Sequence, residues 1–307
     1  MKKKLAVIAP CFNEDKNIKF FYERILSAIK KLNIDYSIYF IDDGSTDQTW
    51  EVISNLKILD KNIIGIKFSR NFGHQNAISA GIQKADGDYV LIIDVDLQDP
   101  PEILEDMYNK IIFSKANIVY AQRTKTHENF FKKITSVLFY KIFNFMSDVK
   151  IPERTSDFRM FDKKVLLELK RLKERNLFYR AIIPWMGFKS ENVLFERFNR
   201  VEGKSGWSIK KMFNFSIDGI LSFSNFPMRL AFFISVFMCL VFILLSIYAL
   251  HSFITNNIVP GWTSIFLIIC FFNIIIFFLL GLISEYVGRI HLDVKNRPNF
   301  IISEEID

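Results

Sequence analysis

The sequence predicts an α/β domain, built on a mostly parallel sheet covered by helices, followed by two membrane-spanning helices. Short apolar runs alternate with amphipathic stretches over the first two-thirds of the 307 residues, and the last quarter is strongly apolar and flanked by Lys and Arg. Alternating strands and helices form a sheet with helices on both faces. We therefore place the α/β domain at 1–226, the two spans within 227–288 and a tail at 289–307.

The predicted strands are short, apolar and rich in β-branched residues, which is typical of strands buried on both faces of a parallel sheet. They are Leu5–Ala9, Ser37–Ile41, Ile63–Phe68, Tyr89–Ile93 and Ile118–Ala121. The segments between them predict helices at Asp15–Lys31, Thr46–Leu59, Gln75–Lys84 and Pro101–Phe113. Ligands of such sheets bind beyond the carboxyl ends of the strands. Polar clusters follow the first, second and fourth strands, so the sequence predicts a binding site at that edge.

Two later segments, 125–147 and 208–223, combine aromatic residues with lysine. This combination favours helices that lie on a membrane surface. The alternative is a pair of core helices in a soluble domain.

The two spans are uncharged apolar runs at about 230–250 and 262–283. A run of about 20 apolar residues crosses the hydrocarbon core of a bilayer. The cations lie outside the pair, at Lys204, Lys210, Lys211, Arg229, Arg289, Lys295 and Arg297. The positive-inside rule then predicts a multi-pass protein of the plasma (inner) membrane, with the α/β domain and both termini in the cytoplasm.

The formal net charge is +7, which suits nucleic acid, an anionic membrane surface or phosphate-rich substrates. The chain has neither zinc-finger spacing nor a basic heptad region, so nucleic acid is not an expected partner. Its three cysteines lack paired spacing, which excludes a disulfide framework and fits a reducing compartment.

Asp94-Val95-Asp96 follows the fourth predicted strand, and Gln98 lies two residues further on. Mg²⁺ and Mn²⁺ bind one or two carboxylates together with substrate phosphates. Such an ion neutralises the charge that grows on a leaving diphosphate. We therefore predict a Mg²⁺ or Mn²⁺ site at Asp94, Asp96 and Gln98. The alternative is a solvated acidic turn.

Asp42 and Asp43 end the second strand, where a carboxylate can accept hydrogen bonds from a nucleobase or a ribose. Phe12 and Glu14 follow the first strand, and Gly73 follows the third, where it lets backbone approach a ligand. The sequence predicts nucleotide binding by these residues. Plain helix capping is the alternative for the acidic ones.

Five cations occur near the two lysine-rich aromatic segments, where the phosphate of a lipid would lie. Guanidinium groups match phosphate oxygens in a bidentate way. We predict acceptor-phosphate binding by Arg123, Arg154, Arg159, Arg200 and Lys204. A solvated basic face is the alternative.

The chain resembles the family 2 glycosyltransferases of GT-A fold, in particular the bactoprenol glucosyltransferases and the dolichol-phosphate mannose synthases. The resemblance covers nearly the whole chain and is carried by APCFNED, IDDGSTDQT, SRNFGHQNA, GDYVLIIDVDLQDPPE, SDFRMFD and RVEGKSGWS. It implies a Rossmann-like mixed sheet flanked by helices. The QxxRW pattern of processive synthases is absent, which argues against a polymer-making enzyme.

The resemblance also implies roles for matching residues. The catalytic positions are Asp157, as an orienting residue or a base, and Asp96. The metal ligands are Asp94, Asp96 and Gln98. The donor nucleotide-sugar would contact Pro10, Phe12, Glu14, Asp42, Asp43, Gly73, Asp94 and Val95.

The implied activity is transfer of a hexose, with a UDP-sugar favoured as donor, onto a polyprenyl (undecaprenyl) phosphate, with metal dependence and inversion. Expected partners are membrane lipid, further copies of the chain in a homo-oligomer such as a tetramer, a separate flippase and a downstream glycosyltransferase. The alternatives are a processive polysaccharide synthase and a catalytically inactive membrane scaffold.

Overall fold

The computed structural model describes residues 2–124, 155–172, 174, 178–196, 226–255 and 261–307, which fall into two compact units. The first unit contains an eight-stranded sheet with the order β7-β5-β6-β4-β1-β2-β3-β8. Its strands are β1 (Lys4–Cys11), β2 (Asp35–Asp42), β3 (Ile63–Phe68), β4 (Tyr89–Ile92), β5 (Ile118–Arg123), β6 (Thr155–Asp162), β7 (Ser190–Phe195) and β8 (Ile302–Ile306). Its α-helices are α1 (Asp15–Leu32), α2 (Thr49–Leu59), α3 (His74–Lys84), α4 (Leu104–Ser114), α5 (Lys163–Arg171) and α6 (Tyr179–Trp185).

The sheet is mixed, as the family resemblance implied. Strands β1 to β4 are parallel, with β1 between β2 and β4. Strand β6 runs antiparallel between β4 and β5, β7 is parallel to β5, and β8 is antiparallel to β3. The apolar pattern predicted only the parallel part, because periodicity does not encode strand direction.

Helices cover both faces of the sheet, and β1 shows why. Leu5, Val7 and Ala9 of β1 are fully buried in the apolar cluster that contains the inner face of α1. On the opposite face, Ile8 lies so close to Gly81 of α3 that a Cβ at Gly81 would be 2.3 Å from the Ile8 side chain. A strand buried on both sides must be apolar throughout, which is the pattern read from the sequence.

The predicted elements of the first half are present with small shifts of their ends. The largest shifts are three residues each, at α2, which begins at Thr49 rather than Thr46, and at α4, which begins at Leu104 rather than Pro101. The residues before α2 form a turn in which Ser45 N donates to Asp42 Oδ1 and Thr46 N donates to Asn13 Oδ1. A short 3₁₀ turn at Pro101–Ile103 precedes α4. The elements β6, α5, α6, β7 and β8 were not predicted.

The second unit contains two long apolar helices, α7 (Phe226–Ile254) and α8 (Trp262–Val294). Among the described residues, one segment, Leu267–Val294, is long and apolar enough to cross a membrane, and Phe233–Tyr248 is a shorter apolar stretch. The predicted second span is thus part of a helix that continues beyond residue 283. The predicted surface helices at 125–147 and 208–223 lie outside the described residues.

The predicted tail, 289–307, is not a separate segment. Its first residues continue α8 to Val294, and its last residues form β8 on the edge of the sheet. The chain therefore leaves the first unit, forms the two apolar helices and returns to the same sheet.

Candidate active site

The polar clusters predicted at the strand ends meet at one edge of the sheet. Cys11 and Asp42 are paired at the ends of β1 and β2, and Asp43 N donates to Cys11 O at 2.9 Å. Strand β4 lies on the other side of β1, and Ile93 N donates to Ile8 O at 3.1 Å. The loops after β1, β2 and β4 consequently emerge side by side.

The loop after β1 is fixed by reciprocal hydrogen bonds with the loop after β2. Asn13 adopts a left-handed φ of 55°, its N–H donates to Ser45 Oγ, and its side chain accepts from Thr46 N. The Glu14 carboxylate accepts from the Asn17 side chain at 2.6 Å, so Glu14 contributes to the start of α1. Phe12 is 43% exposed beside this loop, which leaves its ring accessible to a planar ligand.

The two aspartates after β2 have different surroundings. Asp43 is buried, and its carboxylate accepts from Phe72 N at 2.7 Å and Gly73 N at 2.9 Å. Asp42 is fully buried; its Oδ1 accepts from Ser45 N, whereas its Oδ2 finds no donor among the described residues. Burial raises the pKa of both carboxyl groups. Asp43 thus shapes the loop after β3, and Asp42 retains an acceptor oxygen.

The loop after β3 leads into α3 through a glycine in a positive-φ conformation. Gly73 has a φ of 103°, and a Cβ at this position would meet none of the described residues within 4 Å, so they leave space beside the backbone. The next residue, His74, places its Nε2 2.8 Å from Asp94 Oδ1 and its Nδ1 3.9 Å from Asp157 Oδ2. Desolvation lowers the pKa of His74, but the two carboxylates outweigh it and raise the pKa to about 9. A cationic histidine therefore bridges two predicted site residues.

The Asp94–Asp96 segment forms a turn directly after β4. Both carboxylates are half-buried, Asp96 Oδ1 accepts from Gln98 N at 3.1 Å, and Leu97 has a left-handed φ of 59°. No group of three or more His, Cys, Asp or Glu side chains is arranged to hold a metal within the described ranges. An ion held by two carboxylates and substrate phosphates needs fewer protein ligands. The half-buried Asp94 and Asp96 fit that arrangement, whereas Gln98 is only 9% exposed.

Asp157 lies on β6, which pairs with β4 and so brings this carboxylate to the same edge. Asp157 is 2% exposed, and its oxygens accept from Arg159 Nη2 at 3.3 Å, Arg180 Nη2 at 2.8 Å and Gln75 Nε2 at 3.4 Å. Burial raises the pKa of this carboxyl, but Arg180, Arg159 and His74 outweigh it and hold the pKa well below its usual range. Asp157 is therefore a firmly ionised anchor.

Two of the five predicted phosphate-binding cations, Arg123 and Arg159, lie within the described residues, and their surroundings differ. Arg123 is mostly buried and pairs with Asp99 at 3.1 Å, and Ser156 Oγ also donates to Asp99. Arg159 is 1% exposed, and its guanidinium donates to backbone carbonyls as well as to Asp157. This burial argues against a phosphate contact by Arg159. Arg154, Arg200 and Lys204 lie outside the described residues.

Sequence reasoning missed the side chains that hold Asp157 and Asp94. Neither His74 nor Arg180 was among the predicted site residues. Arg180 lies on α6, 23 positions after Asp157, and reaches it only through the tertiary fold. For His74 a signal was available, because it begins a helix directly after the glycine that we had assigned to ligand approach.

Comparison with known proteins shows the family to which this fold and chain are similar. Residues 6–170 match the model of glycosyl transferase family 2. The chain is 38% identical to the "Uncharacterized glycosyltransferase YkcC" of Bacillus subtilis (strain 168), over 97% of this chain and 93% of that protein. It is 35% identical to the "Bactoprenol glucosyl transferase" of Shigella phage SfII, over 98% of each chain. Among solved structures, S. aureus TarS 1–349 in complex with UDP-GlcNAc aligns with a TM-score of 0.48 and 18% identity, covering 71% of this chain and 65% of that one.

Proposed function

Because this chain belongs to glycosyl transferase family 2, we propose that it transfers a hexose from a nucleotide-sugar, with a UDP-sugar favoured, to polyprenyl phosphate. The observation that carries this proposal is the 35% identity to bactoprenol glucosyl transferases, which extends over 98% of both chains. The alignment therefore includes the apolar helices and the C-terminal strand as well as the sheet. The expected product is a polyprenyl monophosphate sugar.

The donor would bind at the edge formed by the loops after β1, β2 and β3. The exposed ring of Phe12 suits stacking against a nucleobase, and the free Oδ2 of Asp42 suits a base or ribose donor after a small opening of the loop. Gly73 leaves open space beside the backbone at the start of α3, where the helix dipole favours phosphate. Asp94 and Asp96 would hold Mg²⁺ or Mn²⁺. Such an ion, when bound, neutralises negative charge on the departing diphosphate.

The acceptor supplies its own nucleophile. A phosphate monoester has a second pKa near 6, so its oxygen is largely anionic at neutral pH and needs little help from a base. The low pKa of Asp157 makes it a weak proton acceptor, so we assign it an orienting role. It holds His74 and Arg180, two cations at the edge of the sheet that suit the acceptor phosphate. Attack from the side opposite the diphosphate would invert the anomeric carbon.

The return of the chain to the sheet supports two membrane spans. Strand β8, which follows α8, is hydrogen-bonded to β3 and so lies on the same side of a membrane as the sheet. A single crossing by α8 would separate the two strands. We therefore propose that α7 crosses the membrane together with α8, and the flanking cations support a cytoplasmic location of the sheet. A homo-oligomer, a flippase that moves the lipid product and a downstream glycosyltransferase complete the proposal.

The experiment is incubation of the full-length protein with polyprenyl phosphate, a panel of UDP- and GDP-sugars and Mn²⁺ or Mg²⁺, followed by mass spectrometry of the lipid. We expect one sugar residue per lipid, and none when a chelator is added. Asp94→Asn and Asp96→Asn should each abolish transfer while the protein stays folded, whereas the exposed control Asp106→Asn should keep full activity. Products with many sugars would favour a processive synthase. Transfer only to water-soluble acceptors would exclude the lipid proposal.

A further inference from the structure

The C-terminal strand contacts the loop that leads into the candidate active site. Strand β8 pairs with β3, and the contact continues past the end of β3, where Ser69 N donates to Ile301 O at 3.0 Å. Just before this point, the Phe300 ring stacks on Phe68 with centroids 4.9 Å apart and an angle of 14° between the rings. Phe68 is the last residue of β3 and is 1% exposed. The C-terminal segment thus contacts the first residue of the loop Ser69–Gly73 and the residue before it.

Further ring contacts connect Phe68 to the residues of that loop. Phe72 meets Phe68 edge-to-face, with centroids 5.8 Å apart, and the Arg70 guanidinium lies 4.0 Å from the centre of the Phe72 ring. The Phe72 N–H donates to Asp43, as does that of Gly73. The loop is therefore held on one side by the Asp43 carboxylate and on the other by an aromatic stack that ends in Phe300.

We propose that Phe300 is a positioning residue, which holds the loop Ser69–Gly73 in the shape that binds the donor nucleotide. Removing its ring would leave a gap beside Phe68, and Phe72 would then be free to turn away from Asp43. Packed rings make many small contacts, and those contacts are lost when one partner is absent. The role in donor binding rests on the proposed function, whereas the role in loop order does not.

Phe300→Ala tests this role in the full-length protein, with Ile306→Ala as the matched control. Ile306 packs against the core from the far end of β8, next to Gly65, so its loss weakens the same strand without touching the loop. Hydrogen–deuterium exchange of residues 69–76, measured without ligand, should become about tenfold faster in Phe300→Ala and stay unchanged in Ile306→Ala. Phe300→Tyr, which retains the ring, should exchange at the wild-type rate. Phe300→Leu, a milder change, should show a smaller acceleration.

Donor binding gives the second measurement. The KM for the donor should rise about tenfold in Phe300→Ala, with kcat and the KM for polyprenyl phosphate within about twofold of wild type. The proposal is overturned if exchange in the loop is unchanged, or if Ile306→Ala accelerates it equally. Unchanged donor KM together with a loosened loop would also overturn it. Failure of the wild type to bind UDP or GDP, with the exchange result intact, would instead remove the proposed function and leave the loop contact.

Discussion

Asp157→Asn removes the charge from a carboxylate that is 2% exposed and that forms an ion pair with the guanidinium of Arg159, which is 1% exposed. Removing one member of a buried ion pair costs about 3–5 kcal/mol. The carbonyls of Ser156 and Tyr179 still accept from Arg159 in the variant. We therefore expect a loss of about 3 kcal/mol, the lower end of that range. In a domain of this size the loss lowers the Tm by roughly 6–12 °C.

The pH dependence of this loss follows from the directions of two pKa shifts. Asp157 has a folded pKa below its unfolded value of about 3.9, so its contribution to stability is present above that pH and is lost as the pH falls. His74 has a raised pKa, so its contribution is present below about pH 6.5 and is lost as the pH rises towards 9. Because the two groups interact, the difference between wild type and Asp157→Asn should be largest between about pH 5 and 6.5.

Thermal unfolding of wild type and variant across this pH range is the assay. Asp86→Asn is the control, since the side chain of this aspartate is 73% exposed and forms a surface pair with Lys4. Surface pairs contribute little, so we expect its Tm to stay close to that of wild type. Equal Tm values for Asp157→Asn and Asp86→Asn would refute the assignment of Asp157 as an ionised anchor. Transfer by Asp157→Asn that recovers at high pH would support a proton-accepting role instead.

Two further predictions concern the same edge of the sheet. Gly44→Ala should destabilise the protein by at least about 1 kcal/mol more than Gly73→Ala. The added Cβ at Gly44 would lie 2.3 Å from the backbone of Arg70, whereas that at Gly73 would meet none of the described residues within 4 Å. Similar Tm values for the two variants would contradict this prediction. Arg123→Ala removes the cation that opposes the raised pKa of Asp99, where burial is the main cause. A raised pKa favours the protonated carboxyl, so stability falls as the pH rises, and the variant should lose more stability at pH 7 than at pH 5 in thermal unfolding.

The parallel half of the sheet was predictable because the apolar residues of its strands indicate burial on both faces. Leu5 to Ala9 are apolar at every position, and a strand of this kind is buried on both faces. Strand β6 gave no such signal, because it carries Asp157 and Arg159, which are tolerated in the interior because they pair with each other and form further hydrogen bonds. Strand β8 could not be predicted from its sequence pattern either. Its Glu304 reads as a solvated residue, yet it accepts from Trp50 and Lys67 across the edge of the sheet.

Some features of the candidate site were also predictable from the sequence, and others depend on tertiary contacts. Asp42, Asp43 and Asp94 follow apolar strands directly, so the sequence alone predicted that they lie at one edge. Asp43 accepts from the loop after β3, whereas Asp42 accepts from Ser45. Sequence spacing does not reveal this difference, because it depends on where the N–H groups of the loops lie. The bridging position of His74 likewise depends on the contact between β4 and β6, which brings Asp157 next to Asp94.

Calorimetric titration of UDP and of GDP into the full-length protein, with Mn²⁺ and then with a chelator, tests the central claim most directly. Our account predicts that one of these nucleotides binds tightly only when the metal is present. It also predicts that binding is lost in the Asp94→Asn/Asp96→Asn double variant, which should remain folded at the temperature of the titration. Binding of equal strength in the double variant, or in the presence of the chelator, would contradict the assignment of these two carboxylates as the metal ligands of the donor site.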